Sequence, residues 1–392
     1  MFNPLRKSLI VLALGIPLGC TPASKTPLPQ DGFDRTQMLI NLSDNIIVPT
    51  LAAFKEDAQA LDNAAKAYEA NPSESERTNL QQAWTQAMVT WQRAEVYQVG
   101  PAGVAGVSTY GQGLRDEIYS WPRQNPCAID QQIVDQGYID NDFFNAALVD
   151  AYGLDALEYL AFGERDDNAC SATATINRSG SWRALDESVR VERSALYASR
   201  VASHVLEKSN RIYDQWQNTF SENFKKGKGE FQNAQSVVDE VFAALYYLEL
   251  RVKDKKLALP LGLNIDCRAE TCPESVESYF SGTSLSNIAE NLRAGRALMT
   301  GSLEADAEGF GFEDFLIELG APEVAKEMVD TLDRAIFLCE AEDRPLGQLI
   351  EEDPAAAQAI YDAVKSFTDI MKSDFVTVLN LRVPQEGAGD ND

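Results

Sequence analysis

From Phe33 onward, apolar residues recur at three- and four-residue spacing, and no strand-like alternation of useful length occurs. The pattern predicts an all-α protein. A first helix is read over about 34–70, with Leu39, Leu42, Ile46, Leu51, Phe54, Ala58 and Leu61 on its buried stripe and a kink at Pro49, whose ring removes a backbone donor. Asn71-Pro72-Ser73 ends it, and Ser73 followed by Glu76 is the capping signature of a second helix over about 74–98. Gly100–Gly113 reads as a loop, followed by a short helix near 127–136 and an unbroken helical stretch between Gly153 and Gly163. Longer runs follow at about 182–223, 232–252, 284–300, 322–341 and 354–378. Long helices with short connections predict two packed antiparallel helical bundles, residues 33–226 and 230–383, divided at the Lys/Gly run 225–229.

Two of these helices carry acids where the pattern demands apolar residues. In the second, the stripe Leu80, Trp84, Ala87, Met88, Trp91 lands next on Glu95. In the 153–163 stretch, Asp155 and Glu158 share one face, Leu154, Leu157, Leu160 and Ala161 cover the rest, and Tyr159 and Phe162 flank the acids. A helix apolar nearly all round is buried, and burying a carboxylate costs several kcal/mol (roughly) unless something compensates. Two answers are open. The acids are either matched by Arg93, Arg115 or Arg251 in a buried salt-bridge network, or they hold a hard cation such as Ca²⁺, Mg²⁺ or Fe³⁺ through oxygen.

Other chemistry is narrowed by composition. His204 is the one histidine, so zinc sites built on two or three imidazoles are excluded, and no His-Glu-x-x-His occurs. No Gly-x-Ser-x-Gly elbow and no phosphate-binding loop are present. The net charge of −26 makes nucleic acid and anionic lipid unsuitable partners.

The N-terminus adds a destination. Arg6 and Lys7 precede the apolar Ser8–Leu18, a secretory signal over residues 1–19. Its Leu-Gly-Cys ending resembles a bacterial lipoprotein signal, which implies that Cys20 is lipidated, and Thr21 in place of Asp implies the outer membrane facing the periplasm. A Pro-rich tether over 20–32 follows, an acidic tail over 384–392 closes the chain, and no later segment is apolar enough for a membrane helix. Membrane contact is therefore expected only through the lipid. In an oxidising compartment the cheapest pairing joins Cys267 with Cys272, and a Cys127–Cys170 bridge would bracket the acidic stretch, with Cys339 left as a buried thiol.

Several separated motifs share an order. Trp84, Trp91 and Glu95 with Gly100-Pro101, then Trp121-Pro122, then Gly153-x-Asp155-x-x-Glu158 resemble the imelysin family, also called peptidase family M75. Ser281-Gly-Thr-Ser-Leu-Ser-Asn-Ile-Ala-Glu-Asn-Leu and Lys372-Ser-Asp-Phe-Val-Thr-Val-Leu extend the resemblance over roughly residues 35–383. It implies two packed helical bundles, a site at their junction and an envelope protein associated with iron uptake. The family's hallmark is Gly-x-His-x-x-Glu, and here Asp155 stands at the His position. The expected site is thus Glu95, Asp155 and Glu158, supported by Gly153, Trp91, Trp121 and Arg251, taking iron or another hard cation or a small ligand, with envelope transport proteins as possible partners. The alternatives are a divergent metallopeptidase with Glu158 as general base, and a non-catalytic envelope scaffold.

Overall fold

Val48–Ala70 lies against both Glu74–Val96 and Glu187–Gln217 in the computed structural model, which describes residues 31–307 and 309–384. The signal, Cys20, most of the tether and the tail beyond Pro384 lie outside the described residues. The predicted stripes are the packing faces. Leu51, Phe54, Ala58 and Leu61 are buried, as are Leu80, Trp84, Ala87, Met88 and Trp91, and the rings of Phe54 and Trp91 meet at 4.9 Å. Each such large side chain contributes about 1.5–3 kcal/mol by leaving water. A second group joins Ser284–Thr300, Pro322–Glu340 and Pro354–Ile370 with a wide helical stretch, Leu248–Ala258. Ser284–Thr300 also packs on Glu74–Val96, which ties the two groups together. No strand occurs among the described residues, and none of their helices is long and apolar enough to cross a membrane.

The structure departs from the sequence reading at places with local causes. Around Pro49 there is no simple kink within one α-helix. Arg35–Asn41 runs into a π-helical turn, Leu42–Ile47, and then into Val48–Ala70. The wide turn, in which Val48 N–H reaches Ser43 O, places the missing proline donor at a helix start, where none is required. The 182–223 run is two helices, Glu187–Gln217 and Thr219–Lys226, broken at Asn218, which is non-helical (φ −103°, ψ −135°). The break sets Phe220 and Phe224 against Trp216. Two short helices, Phe312–Glu318 and Leu346–Glu352, were hidden because seven residues are too few to show a period.

Beyond the helical run read over about 232–252, Ala234–Leu245 is followed by the π-helical Leu248–Ala258, which buries Lys253 and Lys256 completely. Lys255 remains outside on Asp266 at 2.6 Å. A wider turn changes which residues share a face, so a 3.6-residue reading cannot place them.

Both disulfides form as expected, Cys127–Cys170 and Cys267–Cys272, and Cys339 is a buried free thiol whose pKa burial pushes up to about 12.

Candidate functional site

The helix Leu154–Phe162 is fixed at both ends by side chains of Glu74–Val96. Trp84 Nε1 donates to Leu154 O at 2.7 Å. At the far end Arg77 donates to Ala161 O at 2.8 Å and to Phe162 O and Gly163 O at 3.1 Å, and Gln81 donates to Ala161 O at 3.0 Å. A cation on the last carbonyls satisfies groups that have no partner within the helix and complements the helix dipole. Gly153 enters the helix at φ +97°, and a Cβ there would stand 2.8 Å from both Ile118 O and Asp155 Oδ1. Only glycine fits both the angle and the space.

Asp155 and Glu158 are both buried, as expected, and neither makes an ion pair with a cation among the described residues. Asp155 Oδ2 accepts from the Ser120 hydroxyl at 2.7 Å, and its Oδ1 has no hydrogen-bond partner among the described residues. Glu158 Oε1 accepts from Ser281 N–H at 2.8 Å and from Ser281 Oγ at 3.0 Å. Burial pushes the Asp155 carboxyl up to about 6 against the pull of the Ser120 bond. Burial also pushes Glu158 up to about 7, opposed by the Ser281 donors and reinforced by the charge of Glu277. Both acids therefore sit near the neutral range, where a proton is gained or lost at little cost.

Glu95 has a different environment. Its Oε1 accepts two N–H groups of the buried Arg115 guanidinium, Nε at 2.8 Å, and Arg115 also holds Trp121 O at 3.0 Å. Of the candidate arginines, Arg115 alone answers a motif acid. Arg93 binds Glu290 instead, and Arg251 makes no ion pair among the described residues. Trp91 packs on Phe54, while the Trp121 ring lies 5.8 Å from Lys256 Nζ.

Between these acids runs a polar seam that sequence reasoning missed. Lys256 Nζ donates to Glu277 Oε1 at 2.9 Å and to Gln92 Oε1 and Asn291 Oδ1 at 2.7 Å. Glu277 Oε1 also accepts from Tyr119 OH at 2.8 Å and Gln92 Nε2 at 3.0 Å. Asn291 Nδ2 returns to Gln92 O at 2.7 Å. The seam thus joins Glu74–Val96 to the second helical group. Gln92 could have been found, since it continues the face of Trp84, Met88 and Glu95. Glu277 carried no periodic signal, and Lys256 was masked by the π-helix.

Burial, reinforced by the charges of Glu277, Glu95, Glu158 and Asp155, holds the pKa of the Tyr119 hydroxyl far above the usual range. These four buried carboxylates share two buried cations, Arg115 and Lys256. Besides Asp155 Oδ1, Glu95 Oε2 and Glu277 Oε2 are also buried without a hydrogen-bond partner among the described residues. No three His, Cys, Asp or Glu side chains among the described residues are placed to hold a metal ion, so Glu95, Asp155 and Glu158 do not form a ready-made carboxylate cage. His204 is held elsewhere, with Nε2 3.1 Å from Glu117 Oε2 and its ring stacked 4.0 Å from Phe144.

Comparison with known proteins agrees with this architecture. No curated protein matches the chain. A structure of a protein named as an iron-regulated protein A precursor, from Parabacteroides distasonis ATCC 8503, aligns with TM-score 0.68 at 16% identity, covering 90% of this chain and 97% of that one. A structure of an imelysin-like protein from Psychrobacter arcticum 273-4 aligns with TM-score 0.67 at 18% identity, covering 89% and 96%. At such identities the likeness is one of fold. The imelysin family model matches residues 47–373, and with that span the chain belongs to the imelysin (peptidase M75) family.

Proposed function

We propose that this protein is a binding component of iron acquisition at the cell envelope, anchored by a lipid on Cys20, with Asp155 and Glu158 as the acids that accept the cargo. The observation that carries this reading is that these two acids have no cation among the described residues, while Glu95 and Glu277 are each engaged by one. The surplus of negative charge and the unpartnered Asp155 Oδ1 leave room for a positive ligand. Donors of this kind suit a hard cation, and the residues that would hold it are Asp155 and Glu158 with the hydroxyls of Ser120 and Ser281. Glu95 belongs to the supporting structure in this reading, since Arg115 occupies it.

Equilibrium dialysis against Fe³⁺, Ca²⁺ and Zn²⁺, with Asp155→Ala/Glu158→Ala alongside, tests it. One saturable site that disappears in the double variant is expected. No uptake, or equal uptake by the variant, removes the reading. Peptide cleavage abolished by Glu158→Gln would favour a metallopeptidase instead. Loss of membrane retention in Cys20→Ser tests the anchor.

A further inference from the structure

Arg251, expected to serve the acids, points attention to a different part of the molecule. It lines a cavity of about 540 Å³ between the 104–109 loop and the wide helical stretch, with Tyr247 and Leu250 beside it and Arg382 from the end of the described chain. That volume lies within the roughly 300–1,000 Å³ of small-molecule sites. We propose that this cavity, which backs onto the acidic seam through Tyr247 with its ring 5.5 Å from Lys256 Nζ, is a second ligand site for a small amphipathic carboxylate whose anionic head is held by Arg251.

Charge supports the polarity of the ligand. Neither Arg251 nor the Arg382 side chain makes an ion pair or side-chain hydrogen bond among the described residues, although Glu230, Asp239 and Glu240 line the same wall. Acids are close at hand and do not take them. Asp239 is engaged by Gln235 Nε2 at 3.1 Å and by the Arg382 backbone N–H at 3.3 Å. Glu240 accepts from Thr109 N–H at 3.1 Å and from the Thr109 hydroxyl at 2.5 Å. Those contacts fix the loop to the helix and leave both guanidinium groups available. Glu230, the remaining acid of the wall, is exposed to solvent.

The apolar half of the ligand is indicated by the loop. Val107 is 72% exposed and Val104 48% exposed, and both line the cavity together with Leu250. Valines held open to water on a loop that is itself tied down at Thr109 form a fixed apolar lip rather than a collapsing one. A carboxylate head on a guanidinium with a hydrocarbon body against two valines and a leucine uses both features.

Isothermal titration calorimetry with octanoate, its uncharged amide octanamide, and citrate tests the site. Octanoate is expected to bind saturably to the wild type. Its affinity should fall by about tenfold or more in Arg251→Gln, the loss of one charge-assisted hydrogen-bonded pair. Val107→Asp should weaken it as well, while Asp155→Asn should leave it unchanged. Circular dichroism establishes that each variant is folded. Equal binding of octanoate and octanamide, binding of citrate without octanoate, unchanged affinity in Arg251→Gln, or no binding of octanoate would each overturn the proposal.

Discussion

Glu95 and Glu158 are both buried carboxylates on helices that pack against each other, yet they are accommodated in opposite ways. Glu95 meets a guanidinium, as Glu277 meets an ammonium group. Glu158 meets a serine hydroxyl and a backbone N–H, and Asp155 a serine hydroxyl. A buried ion pair fixes charge: each partner makes removal of the other costly. A carboxylate served only by neutral donors keeps its charge conditional, and its pKa moves into the range where protons and cations compete for it. The first kind of acid joins helices, and the second kind is suited to exchange.

The largest expected effect comes from breaking an ion pair. Arg115→Met should cost about 3–5 kcal/mol in urea unfolding, because Glu95 is left as an uncompensated buried charge. Lys256→Met should behave likewise toward Glu277, and adding Glu277→Gln should restore much of the loss. A double substitution as damaging as the sum of its parts would mean that the pair is not what holds the seam.

The next effect is on pH dependence. Asp155 and Glu158 bind protons more tightly in the folded than in the unfolded chain. Their contribution is therefore present in full below the unfolded carboxylate range and is lost as pH rises through about 6 for Asp155 and about 7 for Glu158. Melting temperature should fall between about pH 4 and pH 7. Asp155→Asn/Glu158→Gln should flatten that fall, leaving a remainder from Asp130, which burial also pushes up to about 6. An unchanged slope would place the titration elsewhere.

The smallest effect separates the neutral donors. Ser120→Ala and Ser281→Ala should each cost about 1 kcal/mol in unfolding, the net worth of a buried hydrogen bond, with Ser281→Ala raising the Glu158 pKa further. A loss as large as that of Arg115→Met would erase the distinction between the two kinds of acid.

Much of this is legible in the amino-acid pattern. The stripe ending on Glu95 and the three-residue spacing of Asp155 and Glu158 identified buried acids from periodicity alone, and the bracketing cysteines do pair. Three things could not be read. Arg115 was one of three candidate arginines, but which of them meets Glu95 was not encoded locally, because Arg115 lies in the short helix Leu114–Ile118 after a glycine-rich loop that has no period. Lys256 turns inward only because Leu248–Ala258 is wound more widely than an α-helix. Glu277 and Ser281 come from an irregular stretch that folds back on the motif helix, a tertiary contact that local pattern does not encode.

Whether Asp155 and Glu158 exchange protons for cargo is measured most directly by calorimetric titration near pH 6 with Fe³⁺ supplied as its soluble nitrilotriacetate chelate, in two buffers of different ionisation enthalpy and with the protein-free titration subtracted. Both acids are partly protonated there, so ligation must displace protons. Release of protons on uptake is expected in the wild type, and its loss, together with uptake, in Asp155→Ala/Glu158→Ala. Uptake without proton release, or the same release from the double variant, would contradict the assignment of these two acids as the site.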